Sequence, residues 1–359
     1  VGNIKNKFIE FDFLRSVAII SIIFCHLHYF IPNSRIWGNF SELFSIIGLG
    51  IFSFISGYLI SYNNTNFFSV QDIRKFYTKR IVRIYPLYWI ALVSYILYLF
   101  VYINFLNILN LSADLNTMVM PFLILINFLG LQILTNPAFG IFWYIGFIVL
   151  CYFLYPLIRK TAKNDVQFLL FSFLIMGIFG LMRIFFNLID DRFFIFFLMF
   201  VGGVIVYNEK LLDNPFSKDK ELMWIGLFCS IVFVFLINKL YLRNIISFDL
   251  SIIISYILSN LTVIVFCILT VQLLKKKILS QIITKFSFII IYVSTAAYCV
   301  YLFHPVLLQL GSTISITLGL SPQVNELFIL FLVVPLIFVI CNNIQNFEIQ
   351  IRNRIIKVN

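Results

Sequence analysis

Charge is what this 359-residue chain has least of: Asp, Glu, Lys and Arg together make up 11%, and only 15 residues are acidic. Long polar stretches are missing as well, so no segment reads as a separate soluble domain. One membrane domain over residues 1–359 is expected, with no soluble domain appended. The six cysteines (Cys25, Cys151, Cys229, Cys267, Cys299, Cys341) lie mostly in separate apolar segments without C-x-x-C spacing. That pattern argues against disulfides and metal sites and for small packing residues. No cleavable signal is expected, because the first apolar run carries Asp12 and Arg15 and does not end in a small-residue cleavage site.

Apolar residues are plentiful: 62% of the chain is hydrophobic and the mean hydropathy is +1.01. Soluble domains do not look like this, and the expected class is an all-α polytopic membrane protein. The net charge of +11 does not point to nucleic acid, since Lys and Arg sit between apolar runs. They read as topology signals facing anionic membrane lipid, or as contacts for an anionic cofactor.

A spanning helix needs about 20 apolar residues. Candidate spans are 13–30, 43–61, 84–105, 118–134, 139–158, 167–189, 192–208, 222–238, 250–274, 289–312 and 325–345. The run 118–134 is short and holds Pro121 and Asn127. Arg74, Lys75, Lys79, Arg80 and Arg83 follow the second span and by the positive-inside bias are cytoplasmic. If one segment between 106 and 138 fails to cross, the basic stretches 159–163 and 275–285 and the tail also fall inside. The expectation is therefore a bundle of about ten transmembrane helices plus one re-entrant or partial helix at 118–134. Both termini would be cytoplasmic, and non-helical backbone at that depth would be tolerated only where protein surrounds it or it lines a wet cavity.

Two ionisable residues share the first apolar run. Arg15 and His26 are separated by ten residues, so on a helix they point within roughly 20° of each other, about 16 Å apart along the axis. An ionisable group at mid-bilayer costs about 2.5–3.5 kcal/mol even on lenient scales, which marks both as candidate functional residues. Asp12, three residues before Arg15, is the expected ion-pair partner, and His28 is expected at headgroup level. Arg80 and Arg83 are three apart and share a helix face, a fork suited to phosphate; the plainer alternative is that they fix topology and touch lipid headgroups. His26 would act as a general base, its ordinary pKa near 6.5 suiting that task, or would only bridge helices. The third histidine lies in Tyr298-Cys299-Val300-Tyr301-Leu302-Phe303-His304-Pro305. There Tyr298, Tyr301 and His304 fall near one face, and Pro305 frees a carbonyl that needs a partner. Either aromatic packing or the polar lining of a substrate cavity follows.

These segments, in this order, resemble the acyltransferase-3 family of integral-membrane acyltransferases. Asp12-Phe13-Leu14-Arg15 through His26 is similar to its R-x10-H element, and Phe54-Ile55-Ser56-Gly57-Tyr58-Leu59-Ile60 to its S-G-[FY]-L-I segment. Arg80-Ile81-Val82-Arg83 before Tyr85-Pro86 resembles its R-x-x-R element. Phe142-Trp143-Tyr144 through Tyr155-Pro156 resembles the W-[FY]…YP helix, and Ala297-Tyr298 through His304-Pro305 the closing S-Y-x-x-Y-L-x-H. Two departures are visible: no acid follows Trp143 within a few residues, and Ala297 replaces the usual Ser.

The resemblance implies transfer of an acyl group, acetyl above all, from cytosolic acyl-CoA to a hydroxyl of a cell-surface or lipid-linked polysaccharide. It implies catalytic roles for His26 and Arg15, and donor binding by Lys79, Arg80 and Arg83. Substrate contacts fall to Trp143, Tyr298, Tyr301 and His304, with no metal. Either direct transfer or an acyl-histidine relay is compatible. A location in the bacterial cytoplasmic membrane is expected, and the SGNH-type esterase domain that some relatives append is expected to be absent or supplied by a separate partner. The rival is a transporter or flippase for lipid-linked oligosaccharide, although the R-x10-H element has no counterpart in the second half of the chain.

Overall fold

The computed structural model describes residues 8–31, 35–63, 69–106, 121–135, 142–212 and 248–358. Among these residues all regular structure is helical. The helices used below are α1 (Ile9–Phe30), α2 (Arg35–Asn63), α3 (Val70–Leu106), α4 (Pro121–Leu129), α5 (Trp143–Thr161), α6 (Asp165–Phe186), α7 (Arg192–Asn208), α8 (Phe248–Leu274), α9 (Lys277–Lys285), α10 (Ser287–Thr317), α11 (Pro322–Phe328) and α12 (Val334–Val358). A π turn (Ile329–Val333) joins the last two. Eight of the described helical segments are long and apolar enough to cross a bilayer, and α7, at 17 residues, sits at the lower limit of about 17–25. The chain is an all-α polytopic membrane protein; the candidate span 222–238 lies outside the described residues.

Local chemistry sets several ends. α3 begins fourteen residues before the expected 84, because Ser69 and Asp72 form a reciprocal cap: the Asp72 amide donates to Ser69 Oγ (3.2 Å) and the Ser69 amide to Asp72 Oδ2 (2.9 Å). The basic residues 74–83 thus occupy the first turns of a 37-residue helix instead of a loop. Asn164 caps α6 by accepting from the Gln167 amide (2.9 Å), and α6 ends on Asn187 in the left-handed region, φ 51°.

Among the described residues α4 is nine residues long, about 14 Å at 1.5 Å per residue, short of a crossing. Contacts between its neighbours say the same. Tyr77 donates to the Phe153 carbonyl (3.0 Å), while Tyr88 and Tyr95 pack on Phe142 with ring centres 5.6 and 6.1 Å away. α3 and α5 are therefore antiparallel, and the end of one lies on the same side as the start of the next. The last carbonyls of a helix lack intrahelical donors, and α3 supplies them from one stripe: Tyr85 to Leu129 (2.7 Å), Trp89 to Phe128 (3.0 Å), and Tyr88 to Asn127. Gln132 then donates to Tyr88 Oη (2.7 Å) and Asn127 Oδ1 (3.0 Å). Irregular backbone is tolerable at this depth because protein answers its carbonyls, although Gln132 Oε1 is buried without a partner among the described residues.

The core is built where α1 packs on α2 and α10, and α2 on α7. The α2–α7 contact is a glycine seam. A Cβ on Gly57 would land on the Phe200 carbonyl oxygen, and one on Gly203 on the Phe54 carbonyl oxygen. Small residues are what let two membrane helices approach this closely.

Candidate active site

α1 and α10 run side by side in the same direction. Near their starts, Ser16 donates to the Ile290 carbonyl (3.0 Å) and Ser294 to Asp12 Oδ1 (3.1 Å); near their ends, the His26 and His304 rings meet with centres 4.7 Å apart. Arg15 donates to the same Asp12 oxygen at 2.7 Å. The expected ion pair is thus present, and Ser294 gives its carboxylate a further donor, which offsets the cost of holding charge at this depth.

Arg15, Arg80, Arg83 and Arg352 line one cavity of about 410 Å³ whose walls come from α1, α2, α3, α5, α10 and α12. Four guanidinium groups face a single lining carboxylate, Asp12. Among the described residues neither Arg80 nor Arg83 has a carboxylate within salt-bridge distance. Arg80 lies instead over Tyr152 (4.9 Å to the ring centre) and Phe76 (5.4 Å), a contact that holds the guanidinium plane without neutralising it. With Arg15 paired to Asp12 and Arg352 to Glu348, Arg80 and Arg83 leave the cavity with an excess of positive charge suited to a polyanion.

Tyr298 and Tyr301 line the same cavity. Tyr298 donates to the Ile84 carbonyl (2.7 Å) and ties α10 to α3 beside Pro86. Tyr301 faces Tyr144, with ring centres 5.8 Å apart, and Tyr144 shares a hydrogen bond with Ser53 (3.0 Å). Tyr301 also approaches His304, at 6.1 Å between centres, so it touches both the cavity and the histidine pair.

The histidine pair is fixed by the backbone. Pro305 lacks the N–H that would have engaged the Tyr301 carbonyl, and His304 Nδ1 takes that place at 2.8 Å. His26 Nδ1 likewise donates to the Ile22 carbonyl at 2.8 Å. Because each Nδ1 faces a carbonyl, it carries the proton, and each Nε2 presents a lone pair. His304 Nε2 is buried with no hydrogen-bond partner among the described residues.

Not every expected residue joins the cavity. His26 and His304 are outside its lining, beyond Tyr301. Arg15 is inside it, about 16 Å along α1 from His26. Lys79 lines an adjoining groove. Trp143 lies elsewhere, with the Arg192 guanidinium 4.0 Å over its ring, and Arg192 in turn is held by Asp190 (2.7 Å). The sequence reading missed Tyr152 and Arg352; the first looked like one more aromatic, and the second like tail charge.

The profile of a family described as an acyltransferase domain matches residues 8–342. No curated protein and no solved structure matches the chain. The match takes in nearly the whole chain, including every segment that builds the cavity except the end of α12, and the chain belongs to the acyltransferase-3 family of integral-membrane acyltransferases.

Proposed function

We propose that this acyltransferase moves an acetyl or other acyl group from acyl-CoA to a hydroxyl of a cell-surface or lipid-linked polysaccharide. It would do so in a bacterial cytoplasmic membrane, with both termini cytoplasmic and the donor entering from that side. One observation carries the reading: a cavity in which Arg80 and Arg83 have no carboxylate partner among the described residues adjoins, through Tyr301, two imidazoles whose Nε2 lone pairs are free of their own helices.

Arg80 and Arg83, with Lys79 beside them, hold the phosphates of the donor. Arg15 faces the same anion and positions it, being too far along α1 to reach a carbonyl reacting at His26. The extended thioester arm spans on the order of the ~16 Å between these residues, passing Tyr298 and Tyr301. His26 Nε2 takes the proton of the acceptor hydroxyl as its oxygen attacks the thioester carbonyl. The C–S bond breaks, and the thiolate leaving group recovers the proton from the imidazolium. His304 and Trp143 contribute to the acceptor side. In a relay version, Nε2 itself attacks and carries the acyl group to the acceptor.

Vesicles holding the purified protein and given labelled acetyl-CoA and a glycan acceptor should transfer label to the glycan. Translocation of a lipid-linked glycan without acyl-CoA, and no label transfer, would overturn the reading in favour of a flippase. Label retained on the protein when acceptor is withheld would select the relay. Replacing Arg80 and Arg83 together by Ala should raise KM for acyl-CoA by about 10²–10⁴-fold, since charge-assisted bonds contribute about 1.5–3 kcal/mol each. An unchanged KM in a folded double variant would remove the pair from donor binding.

A further inference from the structure

The cationic surface does not end at the cavity. A groove of about 630 Å³ runs along the first turns of α3, and five of its lining side chains are cations: Arg74, Lys75, Lys79, Arg83 and Arg352. Among the described residues no carboxylate lines it. Arg83 and Arg352 belong to both walls, so groove and cavity meet at these two guanidinium groups. Arg352 reaches the junction from α12, steadied by Glu348 at 3.2 Å one turn before it. It lies beyond residues 8–342 that match the family profile, so nothing in the shared pattern assigns it.

The spread of charge matters. Arg74 and Arg83 are nine residues apart on α3, about 14 Å along the axis, further than one phosphate can bridge. The inner set (Arg15, Arg80, Arg83) and the outer set (Arg74, Lys75) therefore suit two anionic groups joined by a linker that passes Arg83 and Arg352. We propose that Arg352, with Arg74 and Lys75, forms a second anion subsite that takes a phosphate monoester set apart from the diphosphate held by Arg80 and Arg83. This rests on the acyl-CoA reading above, because CoA carries such an isolated phosphate on its ribose. The groove would make the enzyme selective for donors bearing it over acyl thioesters on plainer carriers. An anionic lipid headgroup offers the same phosphate–guanidinium chemistry and is the rival source.

The full chain in phosphatidylcholine nanodiscs, titrated calorimetrically with CoA and with 3′-dephospho-CoA, tests this. Wild type should bind CoA about tenfold tighter or more, the discrimination expected from one charge-assisted phosphate contact. Arg352→Gln, and separately Arg74→Gln with Lys75→Gln, should bring the ratio close to one. Arg352→Lys, which keeps the charge, should retain most of it, whereas Arg80→Gln should weaken both ligands and preserve the ratio. Equal affinities in wild type would refute the subsite while leaving the donor reading intact; no binding of either ligand would refute both. If Arg352→Gln instead lowers the phosphatidylglycerol retained by the purified protein and leaves the CoA ratio unchanged, the groove is a lipid site and the proposal fails.

Discussion

His26→Ala should lower acyl transfer by about 10²–10⁴-fold, the range general acid–base catalysis supplies, with the protein still inserted and folded. His26 is half-buried and its Nδ1 bonds a carbonyl of its own helix, so its removal leaves α1 intact. The expected signature is a fall in kcat with little change in KM for the donor, because Arg15 at the proposed phosphate site is about 16 Å from His26 along α1. His304→Ala should differ in kind. It takes away a donor to the Tyr301 carbonyl beside Pro305, and losing a hydrogen bond of this kind costs about 0.5–1.5 kcal/mol. Thermal unfolding in detergent should therefore shift for His304→Ala and hold for His26→Ala. Full transfer activity in His26→Ala would end its catalytic assignment.

The largest structural effect is expected from Gly57→Ala. Its methyl group would occupy the position of the Phe200 carbonyl oxygen. Backbone cannot swing aside as a flexible side chain would, so α2 and α7 must separate. Overpacking costs typically 1–3 kcal/mol and occasionally more; here the upper end or beyond is expected, seen as a lowered melting temperature and poor yield. Gly203→Ala should behave alike, since its methyl would meet the Phe54 carbonyl oxygen across the same seam. Gly177→Ala and Gly180→Ala, with open space at both positions, supply the contrast: either should be neutral or stabilising by up to about 1 kcal/mol. Equal tolerance at all four sites would dissolve the seam as an explanation. The S-G-Y-L-I segment resembles a functional motif, yet its glycine is accounted for by helix packing.

Hydropathy and loop charge carried much of the architecture. Apolar runs located the spanning helices, and the need to keep three basic stretches on one side singled out the region where a nine-residue helix now lies. The start of α3 was not legible, because a run of cations outweighs a two-residue cap when only composition is read. The donors that close α4 were hidden for another reason: Tyr85, Tyr88 and Trp89 look like ordinary interfacial aromatics until a carbonyl is placed against each. At the site, Arg15, Arg80, Arg83, Tyr298 and Tyr301 were named from spacing and resemblance, and they do line one cavity. Spacing along one helix could not say that His26 meets His304, because that contact joins residues 278 positions apart and depends on how α1 and α10 align. Arg352 was invisible as a site residue because its neighbours in space, not in sequence, give it a role.

The three side-chain bonds that close the short helix after Pro121 have a mechanical consequence. Pulling that segment away would bare the Phe128 and Leu129 carbonyls to hydrocarbon together, at several kcal/mol each, while the Asn127 carbonyl would keep the Gly130 amide. It is therefore held against α3 as a fixed part of the bundle and not as a flap.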